Sequence, residues 1–98
     1  MKLVLVVGIC SFDLLLHEGA SLKEKRMIVK SLMKRVSSRY NVSVAEIDKQ
    51  DKWQIAVIGF SCVGNDRRHV ERMLQEVLRF IEADGRGEVM NIEREMIT

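Results

Sequence analysis

The sequence contains no proline. It also has no run rich in glycine and serine, so no linker or domain boundary is visible. No internal repeat of useful length occurs. The chain of 98 residues therefore reads as one domain, residues 1–98. Cysteine is scarce. Cys10 and Cys62 are too few and too far apart for a zinc site or a disulfide framework, and they read as buried free thiols packing as small hydrophobes. Aromatic residues are few as well, three Phe, one Tyr and one Trp, which leaves little material for stacking bases. No apolar run is long enough for a membrane span. The opening MKLVLVVGICSFDLLLHEG starts as a secretory signal does, with Lys and then apolar residues. Asp13 interrupts it, however, and no small-x-small cleavage site follows Leu16. Ile9 stands before Cys10, where a lipoprotein signal needs a small residue. The segment reads as a buried strand and the protein as cytoplasmic.

What is present is a strongly uneven distribution of charge. Residues 22–40, LKEKRMIVKSLMKRVSSRY, hold seven Lys/Arg (Lys23, Lys25, Arg26, Lys30, Lys34, Arg35 and Arg39) against the single acid Glu24. Segments 1–21, 41–65, 66–84 and 85–98 each carry one net negative charge. The formal net charge of +2 thus comes from one element, which gives the protein one face suited to polyanions. Elsewhere charges of both signs are interspersed, and a hydrophobic content of 47% is enough for a folded core.

The pattern predicts strand, helix, strand, strand, helix, strand. Residues 2–16 are apolar at both parities, as expected of a central strand buried on both faces. Ser21-Leu22-Lys23-Glu24 has the form of a capping box and opens the first helix. Leu22, Val29, Leu32, Met33, Val36 and Tyr40 form its apolar stripe, and Lys23, Arg26, Lys30 and Lys34 a second, basic one. Residues 41–48 read as a shorter, more polar strand and 49–52 as a hairpin loop. Residues 53–63 form another central strand. Asn65 or Asp66 caps a second helix, which runs to about residue 83 and stops at Gly85. Residues 88–97 form the last strand.

Two strand-helix-strand units with right-handed crossovers give an α+β, ferredoxin-like βαββαβ fold. Its four-stranded antiparallel sheet has the order 4-1-3-2 and both helices on one face. The apolar character of both central strands predicts an uncovered apolar face, and hence a homo-oligomer, most simply a homodimer.

The stretches SLKEKRMIVKSLMKRV (21–36), YNVSVAEID (40–48) with DKWQIAVIGFSCVGND (51–66), and VERMLQEVLRFIE (70–82) carry a wider likeness. On them the chain closely resembles the YlxP-like bacterial proteins, a family of unknown function, over nearly its whole length. Ser21-Leu22-Lys23-x-Lys25-Arg26 and Asn41-Val42-Ser43-Val44-Ala45-Glu46 match the family's two distinctive motifs. The resemblance implies the same ferredoxin-like fold. Genes for such proteins commonly lie among those for translation initiation and ribosome maturation factors, which implies a role near ribosomal RNA. It implies no catalytic residues.

The chemistry open to these residues favours binding over catalysis. Lys23, Lys25, Arg26, Lys30, Lys34 and Arg35 are the candidate RNA-binding residues, since cations at helical spacing neutralise phosphates. The competing reading is a solvated helix face whose charge serves solubility. A base-stacking sheet has Phe12 and Phe60 on the right strands but lacks the second aromatic and the basic opening of that signature. An acylphosphatase-like enzyme needs an Arg and a glycine-rich cradle after the first strand, and residues 17–21 supply neither. His17 and His69 stand alone, so no metal or cofactor is expected. Glu46 and Asp48 read as solvated or interface acids, and Trp53 as an interface or capping residue. The rival to RNA binding is a protein-protein adaptor or oligomeric scaffold that works through the open sheet.

Overall fold

The computed structural model describes residues 4–17 and 21–98. Its elements are β1 (Val6–Leu16), α1 (Leu22–Arg39), β2 (Ser43–Asp48), β3 (Ile55–Gly64), α2 (Arg67–Asp84) and β4 (Gly87–Ile97). The strands form one antiparallel sheet in the order β2-β3-β1-β4, the ferredoxin-like arrangement expected. Val4 and Leu5 lie outside β1, and residues 41–42 and 53–54 lie outside β2 and β3, so those strands start later than the hydrophobic pattern suggests. The first residues of the predicted β1, 2–3, and most of the loop before α1, 18–20, fall outside the described residues.

Local chemistry sets both helix boundaries. Ser21 Oγ accepts the Glu24 amide at 3.1 Å, as the capping box requires. Asp66 Oδ1 accepts the Arg68 amide at 3.0 Å and opens α2. Gly85 ends α2 at φ +81°, a left-handed conformation that glycine adopts without a Cβ penalty.

The core lies between the sheet and the helices. β1 sends Cys10, Phe12, Leu14 and Leu16 toward it, and β3 sends Ala56, Ile58, Phe60 and Cys62. Val29, Leu32 and Val36 of α1 and Val70, Leu74, Val77, Leu78 and Ile81 of α2 cover them. Phe12 and Phe60 meet edge to face, with centroids 6.4 Å apart, inside this core. Both are withdrawn from the open face, where stacking on bases would need them. Gly8 makes the close approach of α2 possible. A Cβ built there lies 2.5 Å from Val70 Cγ1 and 3.0 Å from Leu74 Cδ1. One built at Gly64 lies 2.9 Å from Val70 Cγ2, so Val70 seats against two bare stretches of backbone.

Cys10 and Cys62 are buried free thiols on the helix side. Burial pushes the Cys10 thiol up to about 11, offset in part by Arg94, and raises Cys62 as well. Thiol titration at neutral pH is expected to find both slow to react in the native protein and fully reactive in denaturant. Fast labelling of either in the native state would contradict the packing described.

Two bulges shape the edges. Ser11 pairs with Glu93 but Asp13 with Met90, so Asn91 and Ile92 together oppose Phe12. Asn91 holds φ +53° there, and its Nδ2 donates to Asp13 Oδ2 at 2.7 Å. In β2, Glu46 pairs with Ile58 and Asp48 with Val57, which leaves Ile47 as the extra residue. Glu46 faces the helices in step with Val44, and the extra residue turns Asp48 to the open face, so the two do not share a face as plain alternation predicts.

A basic helix face as candidate nucleic-acid interface

The six candidate residues divide by where α1 carries them. Lys23, Arg26, Lys30 and Lys34 are all exposed and lie on the side of α1 opposite its buried residues. None of the four is in a salt bridge among the described residues. Met27 stands in their midst, 64% exposed, so the band is cationic with one apolar knob.

Lys25 does not belong to this band. It is fully buried, in the same stripe as Val29, Leu32 and Val36. Its ammonium lies 2.9 Å from Glu46 Oε2 and donates to the Lys49 carbonyl at 2.5 Å. Lys49 takes φ +62°, and its carbonyl also accepts the Lys52 amide, closing the β2–β3 turn. Lys25 is therefore corrected from a surface RNA contact to an internal cation that ties α1 to β2 and its turn. Glu46 is corrected in the same way, from a solvated acid to the counter-charge. The signal was in the sequence. Position 25 precedes Val29 by four residues and Leu32 by seven, which puts it on the apolar face.

Arg35 is half committed. It pairs with Asp84, whose side chain is only 5% exposed, while its own guanidinium stays open to solvent. Arg86 holds the same carboxylate through two hydrogen bonds of 2.7 and 3.0 Å and reaches Ser31 Oγ at 3.4 Å. The Arg86 hydrogen bond is the main reason the Asp84 carboxyl titrates below its usual range, with burial opposing it and the charge of Arg86 and then Arg35 assisting. A folded-state pKa below the unfolded value of about 4 gives stabilisation that is complete above that pH. It is lost as pH falls through the depressed folded value. Asp84→Asn is expected to cost about 1–2 kcal/mol at neutral pH, measured by urea denaturation. The gap to wild type is expected to narrow as the pH falls below about 4. A gap that stays constant down to acid pH would contradict this account.

Next to this cluster the end of α1 meets α2. Lys34, Arg35, Ser38, Arg39 and Phe80 line an open hollow of about 390 Å³. The guanidinium carbons of Arg35 and Arg39 lie 5.2 and 5.4 Å from the Phe80 ring centre. Arg39 also lies 5.8 Å from the ring of Tyr40 and donates from Nε to its hydroxyl at 3.3 Å. The sequence counts Arg39 among the cations of residues 22–40 but not among the candidate contacts, and nothing in it shows that Phe80 comes beneath it.

The uncovered face of the sheet is more mixed than expected. Its middle is small and polar, with Ser11, Ala45, Gly59 and Ser61 flooring a trough of about 570 Å³. Around that floor Ile9, Leu15, Ile47, Val63, Met90 and Ile97 stay exposed, while Glu93 and Glu95 bound the β4 side. Among the described residues no group of three or more His, Cys, Asp or Glu is placed to hold a metal. No helix among them is long and apolar enough to cross a membrane.

Residues 7–94 match the family described as "Protein of unknown function (DUF503)". The chain belongs to the DUF503 family. The match takes in α1, β2 and the Lys25–Glu46 pair that joins them. A curated relative, "Uncharacterized protein YlxP" of Bacillus subtilis (strain 168), is 37% identical over 78 residues, covering 80% of this chain and 85% of the relative. Among solved structures, "De novo designed protein Foldit4" aligns over 96% of this chain and 97% of its own, with a TM-score of 0.54 and 18% identity. That likeness concerns the fold alone. The DUF503 match agrees with the family resemblance read from the motifs at 21–26 and 41–46.

Proposed function

We propose that this DUF503 protein is a non-catalytic RNA-binding protein whose contact surface is the outward band Lys23, Arg26, Lys30 and Lys34. The observation that supports it is the division of labour within α1. The helix buries Lys25 and holds one edge of Arg35 on Asp84, yet leaves Lys23, Arg26, Lys30 and Lys34 exposed without a carboxylate partner among the described residues. Like charges three and four residues apart destabilise a helix by a few tenths of a kcal/mol per pair, a cost that a bound polyanion reverses. The genes found near those of YlxP-like proteins make structured ribosomal RNA the first ligand to test.

The test combines salt and charge reversal. Four phosphate contacts predict a loss of roughly 50- to 150-fold in affinity between about 50 and 200 mM salt. Lys30→Glu/Lys34→Glu is expected to abolish retention on RNA while the melting temperature stays within a few degrees of wild type. Retention that survives the double reversal would rule out this surface.

A second reading draws on the open sheet face, where six large apolar side chains remain exposed around the trough. Its occupant is a second copy of this chain. Light scattering at tens of micromolar is expected to give twice the 11.3 kDa chain mass, with Ile9→Glu returning the monomer. A wild-type monomer at that concentration would dismiss it.

A further inference from the structure

We propose that Lys34, Arg35, Arg39 and Phe80 form a phosphate clamp, the point at which the basic helix grips one phosphodiester of a bound RNA strand. The inference rests on the RNA-binding reading and adds a defined contact to it. Solubilising cations extend into water and move freely, but here two guanidinium groups are held on one aromatic ring, at 5.2 and 5.4 Å from its centre. Each has a further anchor, Asp84 for Arg35 and the Tyr40 hydroxyl for Arg39. Stacking and these anchors occupy one N–H of each guanidinium and leave the others for an anion, and the fixed fork loses less entropy on binding than a mobile lysine does. Arg35 and Arg39 are also four residues apart on one helix, a spacing at which like charges repel. Asp84 offsets the charge of Arg35 alone, and an anion seated between the two guanidiniums, with Lys34 on the same hollow, also neutralises Arg39. The shared chemistry is a phosphate group, and its source here is the RNA backbone.

The test compares variants that alter charge with variants that alter only the stack. A short oligouridylate is titrated by fluorescence anisotropy at several salt concentrations, and inorganic pyrophosphate is titrated separately, read by NMR at the arginine side chains. Arg39→Gln is expected to weaken oligouridylate binding about tenfold and to lower the salt slope by about one. Arg39→Lys and Phe80→Leu keep every charge, yet are expected to weaken it about fivefold with the slope unchanged, because the stacked geometry is lost. The exposed Arg39 variants keep the test valid should Phe80→Leu impair folding. If Arg39→Lys and Phe80→Leu bind as wild type while Lys30→Glu/Lys34→Glu does not, the clamp is wrong and the helix surface stands. If wild type retains no RNA at low salt, both fall, even where pyrophosphate shifts the arginine signals, since the site then serves small phosphates.

Discussion

Lys25→Met is expected to destabilise the domain by about 3 kcal/mol, a fall in melting temperature of roughly 12–24 °C for a chain of this size. The argument is one of asymmetry. Lys25 is wholly buried, and its ammonium answers both the Glu46 carboxylate at 2.9 Å and the Lys49 carbonyl at 2.5 Å. Removing the cation leaves a largely buried carboxylate uncompensated, which costs far more than the intact pair contributes. The Lys49 carbonyl keeps the Lys52 amide, so the turn itself survives. Lys25→Met/Glu46→Leu, which replaces both partners by apolar side chains, is therefore expected to recover most of the loss. Urea denaturation of the two single variants and the double variant checks the cycle. Lys25→Met within about 0.5 kcal/mol of wild type would show that the pair does not hold α1 to β2. The same protein separates the internal role of Lys25 from the RNA-binding role proposed for the exposed band. At a temperature where it is folded, Lys25→Met is expected to keep its RNA retention, whereas Lys30→Glu/Lys34→Glu loses it.

Gly8→Val is the second substitution with a large expected cost, about 3 kcal/mol. Even a single added carbon meets Val70 Cγ1 at 2.5 Å, and valine adds two methyl groups directed at Val70 and Leu74. Gly8 pairs with Cys62 in the middle of the sheet, so β1 cannot retreat without breaking its ladder to β3. α2 must move instead, and Val70, Leu74, Val77, Leu78 and Ile81 move with it. Val70→Ala removes the nearest obstruction. The expected signature is that Gly8→Val/Val70→Ala is more stable than the sum of the two single losses allows. Strictly additive losses in thermal denaturation would show that the close approach at Gly8 is not the cause.

Most of the architecture was legible because the residues agree at several levels. Ser21 and Glu24 marked a helix start, Asp66 another and Gly85 an end, and each does that work through the hydrogen bond or left-handed backbone its chemistry favours. The sheet order followed from two crossovers and the depth of the two central strands. The failures are local and have physical causes. Lys25 counted as one more surface cation because composition registers charge but not the partner that makes burial tolerable. That partner, Glu46, comes from another element, and only the register of β2 on β3, which alternates it with Val44 toward the helices, brings it to the ammonium. The open face read as uniformly apolar because both parities of β1 and β3 carry aliphatic residues, yet Ser11, Gly59 and Ser61 fall together once the strands are in register. The hollow over Phe80 depends on α1 and α2 lying side by side, a contact that neither helix announces by itself.

Helix α1 is fastened near one end by Lys25 and near the other through Arg35 and Asp84. From Lys23 to Lys34 the band is then a stiff ruler of roughly 16 Å, because each helical residue advances 1.5 Å. A ruler of that length measures only a short stretch of any polyanion and cannot wrap around it. Contact this brief, made of charge and little apolar surface, favours rapid arrival and short residence on any polyanion it meets.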